Sequence, residues 1–75
     1  MSDITNYENL ANAIILQAVR DYRMALKCLK ANPKNKTALA DKDEVERFFR
    51  SDWFSVLTSV DDEMLIRSLQ MEVDA

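Results

Sequence analysis

Glycine is absent from this 75-residue sequence and proline occurs once, so the residues that tight hairpin turns usually need are missing. Ala, Leu, Lys, Glu, Arg and Met are plentiful, and these are helix formers. An all-α fold is expected. Histidine is absent as well, and Cys28 is the single cysteine. No intrachain disulfide can form and no zinc site of the Cys/His type can be assembled. The usual general base near neutral pH is also missing, which leaves Cys28 without a partner to activate it. Its plain reading is a small residue at the edge of a buried stripe. With no glycine loop, the phosphate-cradling motifs that need one are excluded. These absences argue for a non-enzyme that needs no cofactor and no metal.

Long hydrophobic runs are lacking too. The longest, Ala13 to Val19, is interrupted by Gln17 and closed by Arg20, far short of the roughly 20 residues that a membrane span needs. Met1 to Leu10 is polar and lacks the basic and apolar regions of a secretion signal. Together with the lone thiol this sets the expectation of a cytoplasmic, non-membrane protein.

Apolar residues make up 48% of the chain, too many for a disordered tail. A domain of this length buries only about 60% of the surface its unfolded chain exposes, so the core must be thin. Disulfide and metal being excluded, the remaining sources of stability are good helix packing and self-association.

Thr5 with Glu8 has the form of a capping box and sets a helix start near Asn6. From there Tyr7, Leu10, Ala11, Ile14, Ile15, Ala18, Val19, Tyr22, Leu26 and Leu29 recur at three- and four-residue spacings, the period of an amphipathic helix. Ala31-Asn32-Pro33 ends it, with Asn32 suited to a left-handed cap. Such a helix is roughly 40 Å long, whereas a compact domain of this size has a radius of gyration near 11–12 Å. The long helix must overhang or pack on a partner, which leaves a homodimer open. In the second helix Ala38, Val45, Phe48, Phe49 and Asp52 share a face, but Asp41 and Lys42 intrude on it. Either the helix is continuous or Asp41 starts a fresh one. Ser51 or Asp52 caps a brief third helix. The acids Asp61, Asp62 and Glu63 stand at the positive end of a fourth, whose apolar face is Leu65, Ile66, Leu69 and Val73. The whole reads as a single domain over residues 1–75, a small three- to four-helix antiparallel bundle with helices near 6–31, 35–50, 52–58 and 61–72.

Arg20, Arg23, Lys27, Lys30 and Lys34 fall in one narrow sector of a helical wheel, away from the apolar stripe. This basic ridge either tracks nucleic-acid phosphates or is a solvated face paired with the acidic second half. From Asp41 onward four basic residues oppose ten acids, although the net charge of the whole is only −3. The segment Arg47 to Phe54 concentrates aromatics and arginines, typical of binding hot spots and equally of a thin core. Phe49 and Trp53 stand one turn apart with Phe48 beside them, and the three are expected to be largely buried against the first helix. Phe54 points elsewhere and, with Arg50, is the expected exposed anchor. Arg50, Phe54 and Trp53 are thus the candidate partner-binding residues.

ANAIILQAVRDYRMALKCLKANPKNKTAL (11–39), VERFFRSDWFSVLTSVD (45–61) and LIRSLQMEV (65–73) together resemble a family of short proteins encoded by phages and integrative elements of Gram-positive bacteria. The resemblance implies mobile-element biology, in which small acidic helical proteins bind and inhibit or redirect a host or competitor protein, such as a CRISPR effector or a restriction system. It carries no catalytic or ligand residue. The stretch Asn32 to Leu39 resembles the junction between tetratricopeptide repeats, but one junction without a repeat of roughly 34 residues builds no array. A protein-binding modulator and a small DNA- or RNA-binding accessory protein are the two functions to be weighed. If Trp53 is buried, Trp53→Ala should cost about 3–5 kcal/mol in denaturant unfolding, enough to unfold so small a domain.

Overall fold

The computed structural model describes the backbone of residues 3–74 and the side chains of residues 8–74. Four helices appear in it, α1 (Asp3–Ala31), α2 (Lys36–Phe49), α3 (Asp52–Leu57) and α4 (Asp62–Asp74), and no strand is found among the described residues. α2 packs back on α1, with Phe49 and Glu46 against Tyr22. α4 returns along α1 toward its C-terminal end, where Glu72 meets Arg23 and the Val73 carbonyl meets Lys30. α3 is the short joint between α2 and α4.

Helix starts follow the capping chemistry of the sequence. Asn35 accepts a hydrogen bond from the Ala38 amide at 3.0 Å and opens α2. Asp61 accepts from the Met64 amide at 3.0 Å and opens α4, so the acidic triplet serves the helix end. Ser51 does two jobs. Its hydroxyl donates to the Phe48 carbonyl at 2.6 Å, closing α2, and accepts from the Phe54 amide at 3.2 Å, opening α3.

Three local expectations change. α1 begins at Asp3, so Thr5 lies inside the helix and does not cap it; the side chain of Thr5 falls outside the described residues. Asn32 does not adopt a left-handed cap, since no described residue has positive φ. Its side-chain oxygen instead accepts from the Lys34 amide at 3.1 Å, which makes the turn without strain. α2 runs through Asp41 without a break. Lys42 pairs with Glu46 at 2.7 Å one turn on, and Asp41 is exposed, so neither intruding charge enters the core.

The core is aromatic. Tyr22, Phe49 and Phe54 are fully buried, with Ile66 and Leu69 of α4 closing over them. Phe49 meets both Tyr22 and Phe54 edge to face, at centroid separations of 5.7 and 5.5 Å. Phe54 is therefore a core residue at 2% exposure, while Trp53 is 57% exposed, the reverse of the expectation. The cause is the joint at Ser51, whose extended backbone (φ −78°, ψ 157°) interrupts the helix between α2 and α3. Helical phase does not carry across it, so the four-residue spacing from Phe49 to Trp53 no longer places them on one face.

α1 is longer than the bundle is wide. The molecule measures 47 × 21 × 21 Å with a radius of gyration of 13.7 Å, larger than a compact domain of this length would have. The residues of α1 packed on the central cluster begin at Ile15, and Leu10 before them is 60% exposed. Phe54→Ala should cost about 3–5 kcal/mol, whereas Trp53→Ala should leave the fold within about 1 kcal/mol of the parent. Urea unfolding of the two variants side by side checks the exchange of roles.

Candidate functional site

On a wheel at 100° per residue the faces of α1 resolve into three sectors. One carries Ile15, Val19, Tyr22 and Leu26 into the core. A second is the basic ridge. The third carries Ala13, Ile14, Gln17, Asp21, Met24 and Cys28, and it faces an open groove of about 830 Å3. Thr37, Ala38, Asp41, Glu44, Val45 and Phe48 of α2 form the opposite wall, and Trp53 of α3 closes one end. Alanines at 13, 18, 25 and 38 keep the floor shallow, so a neighbouring backbone can approach closely.

Trp53 sits at this groove as a fixed rim. Its ring packs edge to face on Phe48 at 5.8 Å, and the rest of it faces solvent. Met24, 64% exposed, stands on the α1 wall. Leu10 continues the same sector of α1 outward beyond the groove. Exposed Trp is enriched among the residues that dominate binding energy, and Met is common on adaptable binding surfaces; both line this groove.

The groove's charged lining residues are Asp21, Asp41 and Glu44, and none of these three takes part in an ion pair among the described residues. Asp21 accepts a hydrogen bond from Gln17 at 2.9 Å along its own helix. The acids are thus free to meet a basic partner.

The basic ridge is partly used inside the fold. Arg23 pairs with Glu72 at 2.8 Å, and the Lys30 ammonium donates to the Val73 carbonyl at 2.8 Å, capping the C-terminal end of α4. Arg20 and Lys27 remain as exposed members of the ridge with no ion pair among the described residues, whereas Lys34, also exposed and without an ion pair among them, lies in the turn after α1, because the helix ends at Ala31 and its phase stops there. Arg50 is half-exposed but is clamped between Glu63 at 2.7 Å and Glu46 at 3.2 Å, tying α2 to α4. Of the three expected anchors only Trp53 lies on the groove, because Phe54 is buried and Arg50 is held by its two carboxylates. Sequence reasoning missed Met24 as a groove residue. Its wheel position lies on the far side of α1 from the core stripe, and the wheel alone does not say where a later helix raises a groove wall beside that face.

Opposite the open groove, the Tyr22 hydroxyl donates to Glu46 Oε2 at 2.6 Å and accepts from Gln70 at 3.0 Å. Burial and the Glu46 carboxylate push the Tyr22 phenol well above its ordinary value. For Glu46, burial works against ionisation, but hydrogen bonds from Lys42 and Tyr22 and the charges of Lys42 and Arg50 outweigh it, and its carboxyl is held below the usual carboxylate range. The Arg50 hydrogen bond likewise lowers Glu63.

No protein-family model, curated protein or solved structure matches the chain. The geometry therefore carries the functional argument. Among the described residues no helix is long and apolar enough to cross a membrane, and no group of three or more Cys, Asp or Glu converges as a metal site.

The shifts at Tyr22 and Glu46 have opposite signs for stability. Tyr22 is raised above 10.0, so its contribution is present below pH 10 and is lost as pH climbs beyond it, where the unfolded phenol ionises and the folded one does not. Glu46 is lowered from 4.5, so its contribution is present above that value and is lost as pH falls through the lower folded one. Tyr22→Phe should cost about 2 kcal/mol at pH 7, the worth of one hydrogen bond to a charged group. It should also flatten the fall in stability above pH 10; an unchanged alkaline limb would mean that the phenol is not the group responsible.

Proposed function

We propose that the chain is a non-catalytic binding module that docks a protein partner in the α1–α2 groove, with Trp53 and Met24 as anchors. The observation that carries this reading is the open groove itself. It is a concave, largely apolar surface between two packed helices, and it ends on a tryptophan more than half exposed. Hydrophobic grooves are standard receptors for the apolar face of a partner's amphipathic helix. A thin bundle with no histidine and a single cysteine offers little for chemistry, which supports binding over catalysis. In keeping with the resemblance to short proteins of phages and integrative elements, the partner is a host or competitor protein in the bacterial cytoplasm, whose activity the bound module inhibits or redirects.

Nucleic-acid binding through the ridge is the second reading, and Lys27, Arg20 and Lys34 favour it. It is the weaker of the two, because Arg23 and Lys30 are already engaged by α4 and each lost phosphate contact removes affinity.

A photo-reactive phenylalanine at position 24 should label one protein in a bacterial host, while the same group at Arg67, on the exposed side of α4, should not. That protein, once purified, should shield Cys28 on the groove wall from alkylation. Salt-dependent binding to duplex or single-stranded nucleic acid, abolished by R20E/K27E/K34E, with no labelling from position 24, would replace the protein-binding reading by the second one.

A further inference from the structure

We infer that the occupant of the groove is one basic amphipathic helix of the partner, about four turns long, lying against α1 and α2 on the flank opposite α4. This rests on the docking reading above and adds the chemistry of what docks. The α1–α2 pair has two flanks. On one, α4 inserts Ile66 and Leu69 beside Tyr22 and Phe49. The other is the open groove, bounded by the same two helices and again floored by small and apolar side chains. A helix is the element that this pair already accepts on its other side, and a fourth helix would complete the bundle. The groove runs along α1 from Ala13 to Cys28, which at 1.5 Å per residue is about 22 Å, the length of a helix of about 15 residues.

Charge selects the kind of helix. Asp21 stands on one wall, Asp41 and Glu44 on the other, and among the described residues no basic side chain lines the groove. A helix with an apolar stripe of Leu, Ile or Met and Lys or Arg along both edges would bury the stripe on the alanine floor and set a cation against each wall. An acidic helix would place like charges together on both sides.

The same argument weighs against a second copy of this chain. α1 has Asp3 and Glu8 but no basic residue before Arg20, so its projecting end is not complementary to the groove. The basic residues after Arg20 flank a stripe already buried in the core. α4 contains one basic residue, Arg67, against Asp62, Glu63, Glu72 and Asp74.

The test uses the full chain and two synthetic peptides of about 15 residues that lack tryptophan. Both carry one Leu/Ala stripe at helical spacing; one is edged with Lys and Arg, the other with Glu. Trp53, the only tryptophan, reports binding by fluorescence, and Cys28, the only cysteine, reports groove occupancy by protection from alkylation. The basic peptide should bind, shift the emission, shield Cys28 and weaken as salt rises. The acidic one should bind at least about tenfold less tightly. D41K/E44K, both exposed positions, should keep the helical circular dichroism of the parent and lose about tenfold or more for the basic peptide.

Equal binding of both peptides with Cys28 shielded, or no effect of D41K/E44K, would overturn the basic helix and leave the docking groove standing. No peptide binding, with dimerisation that shields Cys28, would make a second copy the occupant. No peptide binding, with Cys28 reactive throughout and position 24 silent in labelling, would remove both readings.

Discussion

The structure depends on one buried phenol. Tyr22 is completely shielded, and its oxygen is shared by Glu46 of α2 and Gln70 of α4, so three helices meet at a single atom. Burying a carboxylate edge beside an aromatic core is costly unless its oxygens are satisfied. Here Tyr22, Lys42 and Arg50 all point at Glu46, and no described buried side-chain oxygen or nitrogen lacks a partner. Apolar packing alone would tolerate sliding of α4 along α1. A directional hydrogen-bond set does not, because a shift of one residue would leave the polar atoms unpaired.

This junction explains where the rest of the chain lies. Once Tyr22 is tied to Glu46 and Gln70, α4 is held on the ridge side of α1. Its acidic C-terminal turn then meets Arg23 and Lys30. The lopsided charge along the sequence is thus partly spent on folding, and the basic half and the acidic half of the chain become neighbours. What α4 does not cover is the opposite flank of the α1–α2 pair, and that flank becomes the groove. Groove and core are set by the same choice of side.

Thin domains have little apolar surface to spare, yet this one leaves Trp53, Met24, Leu10 and Leu16 more than half exposed. Trp53 is held in place by Phe48 without being buried by it. An amphipathic ring with few rotatable bonds offers contact area at small entropic cost.

Most of the fold is legible in the sequence, because its signals are local. Absent glycine, the long apolar period of α1, the Asn32-Pro33 stop, the caps at Ser51 and Asp61 and the face of α4 all act within a few residues, and together they determine four helices at nearly the observed boundaries. The start of α1 was misread because Thr5 and Glu8 match a capping pattern that the helix simply runs through. The candidate site was only partly legible. Which of Trp53 and Phe54 is buried depends on the backbone angle at Ser51, where two short helices join and the periodicity that relates side chains within a helix is interrupted. Whether Arg50 is a free anchor or an internal clamp depends on where Glu63, thirteen residues away, is carried by the next helix. Periodicity determines which face of a helix is apolar. Only tertiary packing decides which flank of that face is covered, because the covering residues come from an element whose position no local pattern encodes.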